Sequence, residues 1–195
     1  MELQQLIALL TFVLITTISP GPNNIMVMAS GANIGFMRTI PHILGIIFGF
    51  SFMVIMVGVG LMKVFAFYPL LHLILNAFCI TYLFYLAWKI AQSKPDNDAD
   101  SYQAMSFIAA ANFQWINPKA WTMAITAVSV YNTSENWQGV LFVSLMFALI
   151  NIPSMSLWAF AGQKLQGWLS KPLRLKWFNY SMAGLLTLSV IPMLF

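Results

Sequence analysis

The sequence predicts an all-α integral membrane protein of six transmembrane helices, arranged as two inverted three-helix repeats in which helices 1 and 4 are broken. Of its 195 residues, 60% are hydrophobic and only 7% are charged, whereas soluble domains carry about 25% charged residues. A crossing needs about 20 apolar residues, so the apolar runs provide for about six crossings. Each half of the chain also opens with a span that prolines interrupt. We therefore expect a single transmembrane domain over residues 1–195.

The first span, at about Leu3 to Ala29, is interrupted by Ser19-Pro20-Gly21-Pro22-Asn23-Asn24. The two prolines have no N–H, so the carbonyls of Thr16 and Ile18 lose their helical donors. Irregular backbone at membrane depth is tolerated only where it is buried in protein or lines a cavity. This stretch is therefore predicted to form one wall of a substrate site. The alternative is a simple kink whose carbonyls are satisfied by the hydroxyl of Ser19 or Thr17.

The later spans are expected at about Ile40 to Leu61, Leu70 to Ile90, Met105 to Val130, Gly139 to Ala161 and Trp177 to Phe195. A short polar turn from Gly31 to Arg38 is expected before the second span, and a basic connection from Lys164 to Lys176 before the sixth. Within the second span, Gly45 and Gly49 form a small-xxx-small pattern, which predicts close contact with another helix.

The polar segment at about 92–104 divides the chain into repeat 1, at about 1–91, and repeat 2, at about 105–195. Loops that carry an excess of lysine and arginine face the cytoplasm. The odd-numbered connections hold seven of the nine basic residues and the even-numbered ones hold one. The seven are Arg38, Lys89, Lys94, Lys164, Lys171, Arg174 and Lys176. This bias predicts a multi-pass protein whose N- and C-termini both face outward.

The fourth span is interrupted in the same way, at Asn117-Pro118-Lys119. Broken helices at corresponding positions of two halves indicate inverted repeats, with the binding site where the breaks meet. The free amide ends at Asn23 and Asn24 carry partial positive charge and are suited to a carboxylate. The carbonyls of Thr16, Ile18 and Gln114 are expected to remain as acceptors for an ammonium group. A small zwitterion fits such a site.

Lys119 is the most informative single residue, because a lysine at a helix centre costs about 2.5 to 3.5 kcal/mol even on the mild insertion scale. No Asp or Glu lies within any span, so a bound anion or backbone carbonyls must stabilise it. We expect Asn23, Asn24 and Lys119 to hold the carboxylate of a substrate, with Gln114 and Asn117 in support. In the alternative, the fourth span starts later and Lys119 snorkels to the membrane interface.

Metal and redox chemistry find no support in the sequence. Cys79 is the single cysteine, which excludes an internal disulfide and a CxxC pair. His42 and His72 are thirty residues apart and offer no metal-ligand spacing. We expect no cofactor and no nucleic-acid partner. Both histidines are candidates for a proton relay, although a structural role is the more common one for such residues.

The length of the chain, its six predicted spans and three short motifs together resemble the LysE/RhtB family of amino-acid exporters. The motifs are Ser-Pro-Gly-Pro-Asn-Asn at 19–24, Tyr85-Leu-Ala-Trp-Lys-Ile90 and Asn117-Pro-Lys-Ala120. The first also resembles the subgroup that exports cysteine and O-acetylserine. The resemblance implies efflux of small amino acids across a bacterial inner membrane, driven by an ion gradient. It makes the proton the expected coupling ion and leaves a homo-oligomer open.

Three other interpretations stay open at this point. Within the transporters, the substrate is another amino acid, such as threonine or homoserine. An intramembrane enzyme would need a nucleophile–base pair or paired carboxylates, and the spans supply neither, so we expect no enzyme. A membrane assembly protein is the third interpretation, for which two matched polar breaks would be unusual.

Overall fold

A computed structural model describes residues 2–61, 69–92, 102, 104–132 and 136–191, and within these ranges the chain is all helical without a strand. The helices are α1 (Leu3–Ile18), α2 (Pro22–Ile34), α3 (Phe36–Met56), α4 (Pro69–Ala91), α5 (Phe107–Phe113), α6 (Pro118–Tyr131), α7 (Trp137–Leu169) and α8 (Pro172–Leu188). A π-helical turn at Val57–Leu61 extends α3, and a 3-10 turn at Gln114–Ile116 follows α5. The predicted all-α class is confirmed. Most of the polar segment at 92–104 lies outside the described residues.

Two helices of the described part are long and apolar enough to cross a membrane, Phe36–Gly60 and Trp137–Leu169. The α1–α2 pair passes the same test together, with a bend of 53° between its halves. Ile80–Ala91 and Phe107–Ile116 are shorter apolar helices. The six-span arrangement stays a prediction beyond these elements.

The polar turn expected from Gly31 to Arg38 is wrong, because α2 continues to Ile34 and α3 starts at Phe36. Gly35 alone separates them, with a φ of 81° that favours glycine over other residues. The amide of Phe36 donates to Oε1 of Gln163 at 2.8 Å, which satisfies the start of α3. One left-handed residue therefore replaces a whole turn.

The basic stretch expected from Lys164 to Lys176 is mostly helical, since only Ser170 and Lys171 separate α7 from α8. Lysine and glutamine are good helix formers, so polarity alone does not end α7. Pro172 occupies the first position of α8, where a missing N–H costs nothing. The polar ends of both helices remain helical.

Glycines bring the helices into close contact at two crossings. A Cβ on Gly31 would meet the carbonyl oxygen of Ala159, and a Cβ on Gly162 would meet the carbonyl oxygen of Met28, so α2 and α7 touch backbone to backbone. On α3, Gly45 and Gly49 lie against the backbone of α5 in the same way. The close helix contact predicted for these two glycines is confirmed.

The helices on the two sides of each break belong to different apolar clusters. α1 and α6 contribute to a cluster that includes Leu9, Val13, Phe50, Ala124 and Phe147. α2 and α5 contribute to a second cluster that includes Ile25, Ala29, Leu83, Phe113 and Leu186. The first half of one broken span thus shares a core with the second half of the other.

Candidate functional site

The first break spans the three residues Ser19, Pro20 and Gly21, between α1 and α2. Gly21 is the N-cap of α2 and Pro22 its first residue, and the first helical bond runs from the amide of Ile25 to the carbonyl of Gly21. The amides of the first turn have no carbonyl one turn earlier within the helix. They give this end of α2 a partial positive charge.

The second break is a capped helix start. Asn117 has an extended backbone, and its Oδ1 accepts a hydrogen bond from the amide of Lys119 at 3.2 Å. Pro118 is the first residue of α6. Asparagine before proline therefore ends one helix and starts the next, as the sequence predicts for this position.

Lys119 joins the two breaks. Its Nζ donates to the carbonyl oxygen of Ser19 at 2.6 Å and to Oγ of the same residue at 2.9 Å. The carbonyl oxygen of Pro20 is a third partner at 3.4 Å. The half-buried ammonium therefore sits at the C-terminal end of α1, where a helix carries partial negative charge. Backbone carbonyls, one of the two kinds of partner that the sequence allows, thus stabilise Lys119 in this conformation.

A pair of amide side chains forms a second bridge between the breaks. Nδ2 of Asn23 donates to Oε1 of Gln114 at 2.8 Å, and Nε2 of Gln114 donates back to Oδ1 of Asn23 at 3.3 Å. Gln114 is fully buried and also donates to the carbonyl of Ala110. Nδ2 of Asn24 donates to the carbonyl of Thr17 at 2.8 Å. The structure thus brings together all five predicted binding residues.

The carbonyls expected to be open for an ammonium group are occupied, so that prediction is wrong. The carbonyl of Thr16 accepts from Oγ of Ser19 at 3.0 Å, and that of Gln114 from the amide of Asn117 at 3.2 Å. The carbonyl of Ile18 accepts from Nε1 of Trp158 at 3.2 Å. A hydroxyl, a tighter turn and a distant indole replace the missing helical donors. The acceptors available to a cation are instead the carbonyls within the first break.

The space between the breaks is small in this conformation. A cavity of about 20 Å³ lies there, which holds about one water molecule. Its lining includes Thr16, Thr17, Asn23, Asn24, Phe50, Asn117, Lys119, Met123 and Asn151. An amino acid needs the two breaks to move apart.

Asn151 is the site residue that sequence reasoning missed. It lies within α7, is 3% exposed, and faces the cavity between the breaks. Among the described residues, no side chain or backbone group has a hydrogen bond with its amide. The signal was present, since a polar residue inside an apolar span indicates a pathway or a site.

His42 is not among the residues that line the cavity between the breaks. His42 is buried on α3, with Nδ1 3.4 Å from Oγ of Ser30. The side chains of His72 and Cys79 lie outside what the structure describes. Within the described ranges, no group of three or more histidine, cysteine or acidic side chains could hold a metal ion.

Comparisons with known proteins give one consistent result. Residues 14–191 match the family described as LysE type translocator. The chain is 31% identical over 161 residues to a "Cysteine/O-acetylserine efflux protein" of Klebsiella pneumoniae subsp. pneumoniae, covering 82% of each chain. Proteins of the same name from Salmonella choleraesuis and Escherichia coli O1:K1 / APEC are also 31% identical, over 80% of this chain and 81% of theirs. No solved structure matches the chain.

Proposed function

The chain belongs to the LysE type translocators, and on that premise we propose that it exports small neutral amino acids or their derivatives, of the cysteine and O-acetylserine kind, from the bacterial cytoplasm. Membership of this family makes it an integral membrane transporter rather than an enzyme. The relatives named as efflux proteins support amino-acid export as its activity. The inner membrane is the location that we propose.

The contact between Lys119 and the first break carries this proposal. The positive charge of the Lys119 ammonium is balanced by the partial negative charges of the carbonyl oxygens of Ser19 and Pro20. A zwitterion supplies both partners at once, because its carboxylate replaces the carbonyls around Lys119 and its ammonium takes the carbonyls that Lys119 leaves. The N-termini of α2 and α6 add positive potential for the carboxylate. We expect Asn23, Asn24, Gln114 and Asn117 to complete the site.

We propose alternating access as the mechanism. Two inverted repeats, at about 1–91 and 105–195, would rock about the breaks, with 92–104 as the connection between them. The exchange of apolar clusters at each break supports this arrangement, because it pairs opposite halves of the two broken spans. Opening would separate Lys119 from Ser19, which the 20 Å³ cavity requires before an amino acid can enter.

The proton is the coupling ion that we propose. No span contains an Asp or Glu, so the titrating group is His42, His72, Lys119 or the substrate itself. The excess of basic residues in the odd-numbered connections supports an orientation with both termini outside. A homo-oligomer is compatible with this scheme and is not required by it.

Counterflow of labelled amino acids in proteoliposomes tests the proposed function. Lys119→Ala and Asn24→Ala are expected to abolish exchange at normal expression, because each removes a polar group between the breaks. Lys171→Ala, in the exposed connection before α8, is the matched control and is expected to keep the wild-type rate. Wild-type rates in both site variants would remove this site from consideration. A panel that includes cysteine, O-acetylserine, threonine and homoserine separates the substrates.

A further inference from the structure

A second and larger cavity lies beside the breaks. Its volume is about 280 Å³, compared with about 20 Å³ between the breaks. Apolar side chains make up part of the wall, and the polar lining residues include Ser30, His42, Lys89 and Tyr102. Except for His42, none of these residues was among the sequence-predicted candidates, and the site between the breaks uses none of them.

The polar lining is connected by hydrogen bonds. Oγ of Ser30 lies 3.2 Å from the hydroxyl of Tyr102 and 3.4 Å from Nδ1 of His42. The serine has one proton, so it donates to one of these groups and accepts from the other. Burial raises the pKa of Tyr102 to about 12, with the Ser30 hydrogen bond acting in the opposite direction. The tyrosine hydroxyl therefore keeps its proton at neutral pH.

This chain of three side chains ends in an unpaired atom. Nε2 of His42 is buried, and no group of the described residues is within hydrogen-bond distance of it. His42 is 1% exposed and Ser30 is fully buried. A buried polar atom without a partner loses its full hydration energy. The ring of His42 forms part of the cavity wall, while Nε2 itself is shielded from the open space.

The two cavities follow one another along the same pair of helices. On α2, Asn24 lines the smaller cavity and Ser30 the larger, six residues or about 9 Å further along the helix. On α3, Ile46 lines the smaller cavity, and His42, one turn away, lines the larger. Lys89, which also lines the larger cavity, lies near a connection that the positive-inside rule assigns to the cytoplasm.

We propose that the larger cavity is a second amino-acid subsite, in which a small polar amino acid binds on its way from the cytoplasm to the breaks. Its polar groups contact the hydroxyls of Ser30 and Tyr102, and Lys89 belongs to the same lining. The subsite rests on the proposed function, since it assumes that the substrate is a small amino acid. It explains how a site too small for the substrate in this conformation is loaded from one face.

The first test uses transport from each face of the membrane, with O-acetyl-L-serine as the probe. In inside-out vesicles, Ser30→Ala is expected to raise the half-saturating concentration about tenfold, the effect of one lost hydrogen bond to a charged group. In right-side-out vesicles the half-saturating concentration should stay unchanged and the maximal rate should fall, because without a gradient the ratio of the two constants must stay the same at both faces. Ser181→Ala, at an exposed serine of α8, is the matched control. A half-saturating concentration that changes equally at both faces, or at neither, would overturn the subsite.

The second test measures occupancy without transport. Met26, which lines the larger cavity, is replaced by cysteine in a Cys79→Ser background, and its alkylation by a small maleimide is timed. O-acetyl-L-serine is expected to slow this reaction. The slowing should be equal in a Lys119→Met variant, which lacks the ammonium group between the breaks. Leu86→Cys, on another wall of the cavity, serves if the first variant does not fold.

The two proposals fail in different ways. Counterflow in the wild type without protection of either cysteine would overturn the subsite and leave the exporter standing. Protection that disappears with Lys119→Met would show one site rather than two, and would also overturn the subsite. Protection without counterflow of any amino acid would refute the proposed function and leave the binding cavity standing.

Discussion

Asn151 shows what a single unpaired side chain indicates inside a membrane protein. The other amides of the site have partners that explain them structurally: Asn23 and Gln114 bond to each other, Asn24 bonds to Thr17, and Asn117 caps α6. Asn151 is buried at the cavity between the breaks and has no such partner among the described residues. Its place in the wall of this cavity favours contact with the transported solute.

We predict that Asn151→Leu folds normally and exchanges O-acetylserine at least tenfold more slowly than the wild type. Leucine fills a similar volume and leaves no polar group behind, so stability should be unchanged or slightly increased. Counterflow in proteoliposomes gives the rate, and thermal unfolding in detergent gives the stability. Asn112→Leu, at an exposed position of α5, is the matched control and is expected to have no effect on exchange. Normal exchange in the Asn151 variant would exclude contact with the solute.

Gly21 is constrained by space rather than by backbone conformation. Its φ of −173° is extended and open to any residue, but a Cβ there would lie 2.8 Å from Cδ of Lys119 and 3.1 Å from Nζ. A side chain at position 21 therefore displaces the lysine from the first break. The helix start itself does not depend on glycine.

We predict that Gly21→Ala lowers the exchange rate while the melting temperature changes little, because the flexible lysine moves and the backbone does not. Gly184→Ala, where a Cβ meets nothing within 4 Å, is the control for the same substitution in a helix. Gly31→Ala provides the opposite reference, since its Cβ would meet the backbone of α7 and should destabilise the fold. Counterflow and thermal unfolding of the three variants distinguish these cases. A fully active Gly21 variant would contradict the importance of the Lys119 position.

At the scale of elements, the two broken spans are held together by the Asn23–Gln114 pair. The two side chains are 91 residues apart in the sequence and exchange two hydrogen bonds. Interhelical hydrogen bonds in membranes contribute about 0.6 kcal/mol on average and at most about 1.7 kcal/mol. Removing one partner costs more, since the other is left buried and unpaired, by about 1 to 3 kcal/mol.

A double-mutant cycle tests this pair. Asn23→Leu and Gln114→Met are each expected to destabilise the protein by about 1 to 3 kcal/mol, and the double variant by less than the sum of the two. The coupling follows because the second substitution removes the group that the first left unpaired. Chemical unfolding in detergent provides the free energies. Additive effects would mean that the two amides act independently, against the geometry of the bridge.

Much of the element order was predictable from local sequence, and the corrections show where local sequence fails. Both breaks were located from prolines, because a missing N–H acts within one turn of its own position. The turn at Gly35 and the extension of α7 to Leu169 were not predicted, because polar residues were read as loops although they remain helical. The partner of the Ile18 carbonyl is not predictable for another reason, because its donor, Trp158, lies 140 residues away in the sequence.

At the scale of the whole molecule, the proposed inverted repeats predict an even number of membrane crossings. Two repeats of three spans give six crossings, so both ends of the chain lie on the same face of the membrane. The connection between α7 and α8, which follows the fifth of the proposed spans, then lies on the opposite face. The described helices supply only two long candidate spans and one bent pair. Whether the number of crossings is even is therefore an independent test of the proposed repeats.

We predict that cysteines at the two ends and at the α7–α8 connection react on opposite faces of the membrane. In a Cys79→Ser background, Glu2→Cys and a cysteine appended after Phe195 are expected to react with a membrane-impermeant maleimide added to intact spheroplasts. Ser170→Cys, which is exposed beside Lys171, should react only after the membrane is permeabilised. Reaction of the two ends on different faces would mean an odd number of crossings, and two equal three-helix repeats would then be ruled out. Reaction of both ends only from the inside would keep the repeats and invert the orientation, so that the basic connections would face outward against the rule that predicted them.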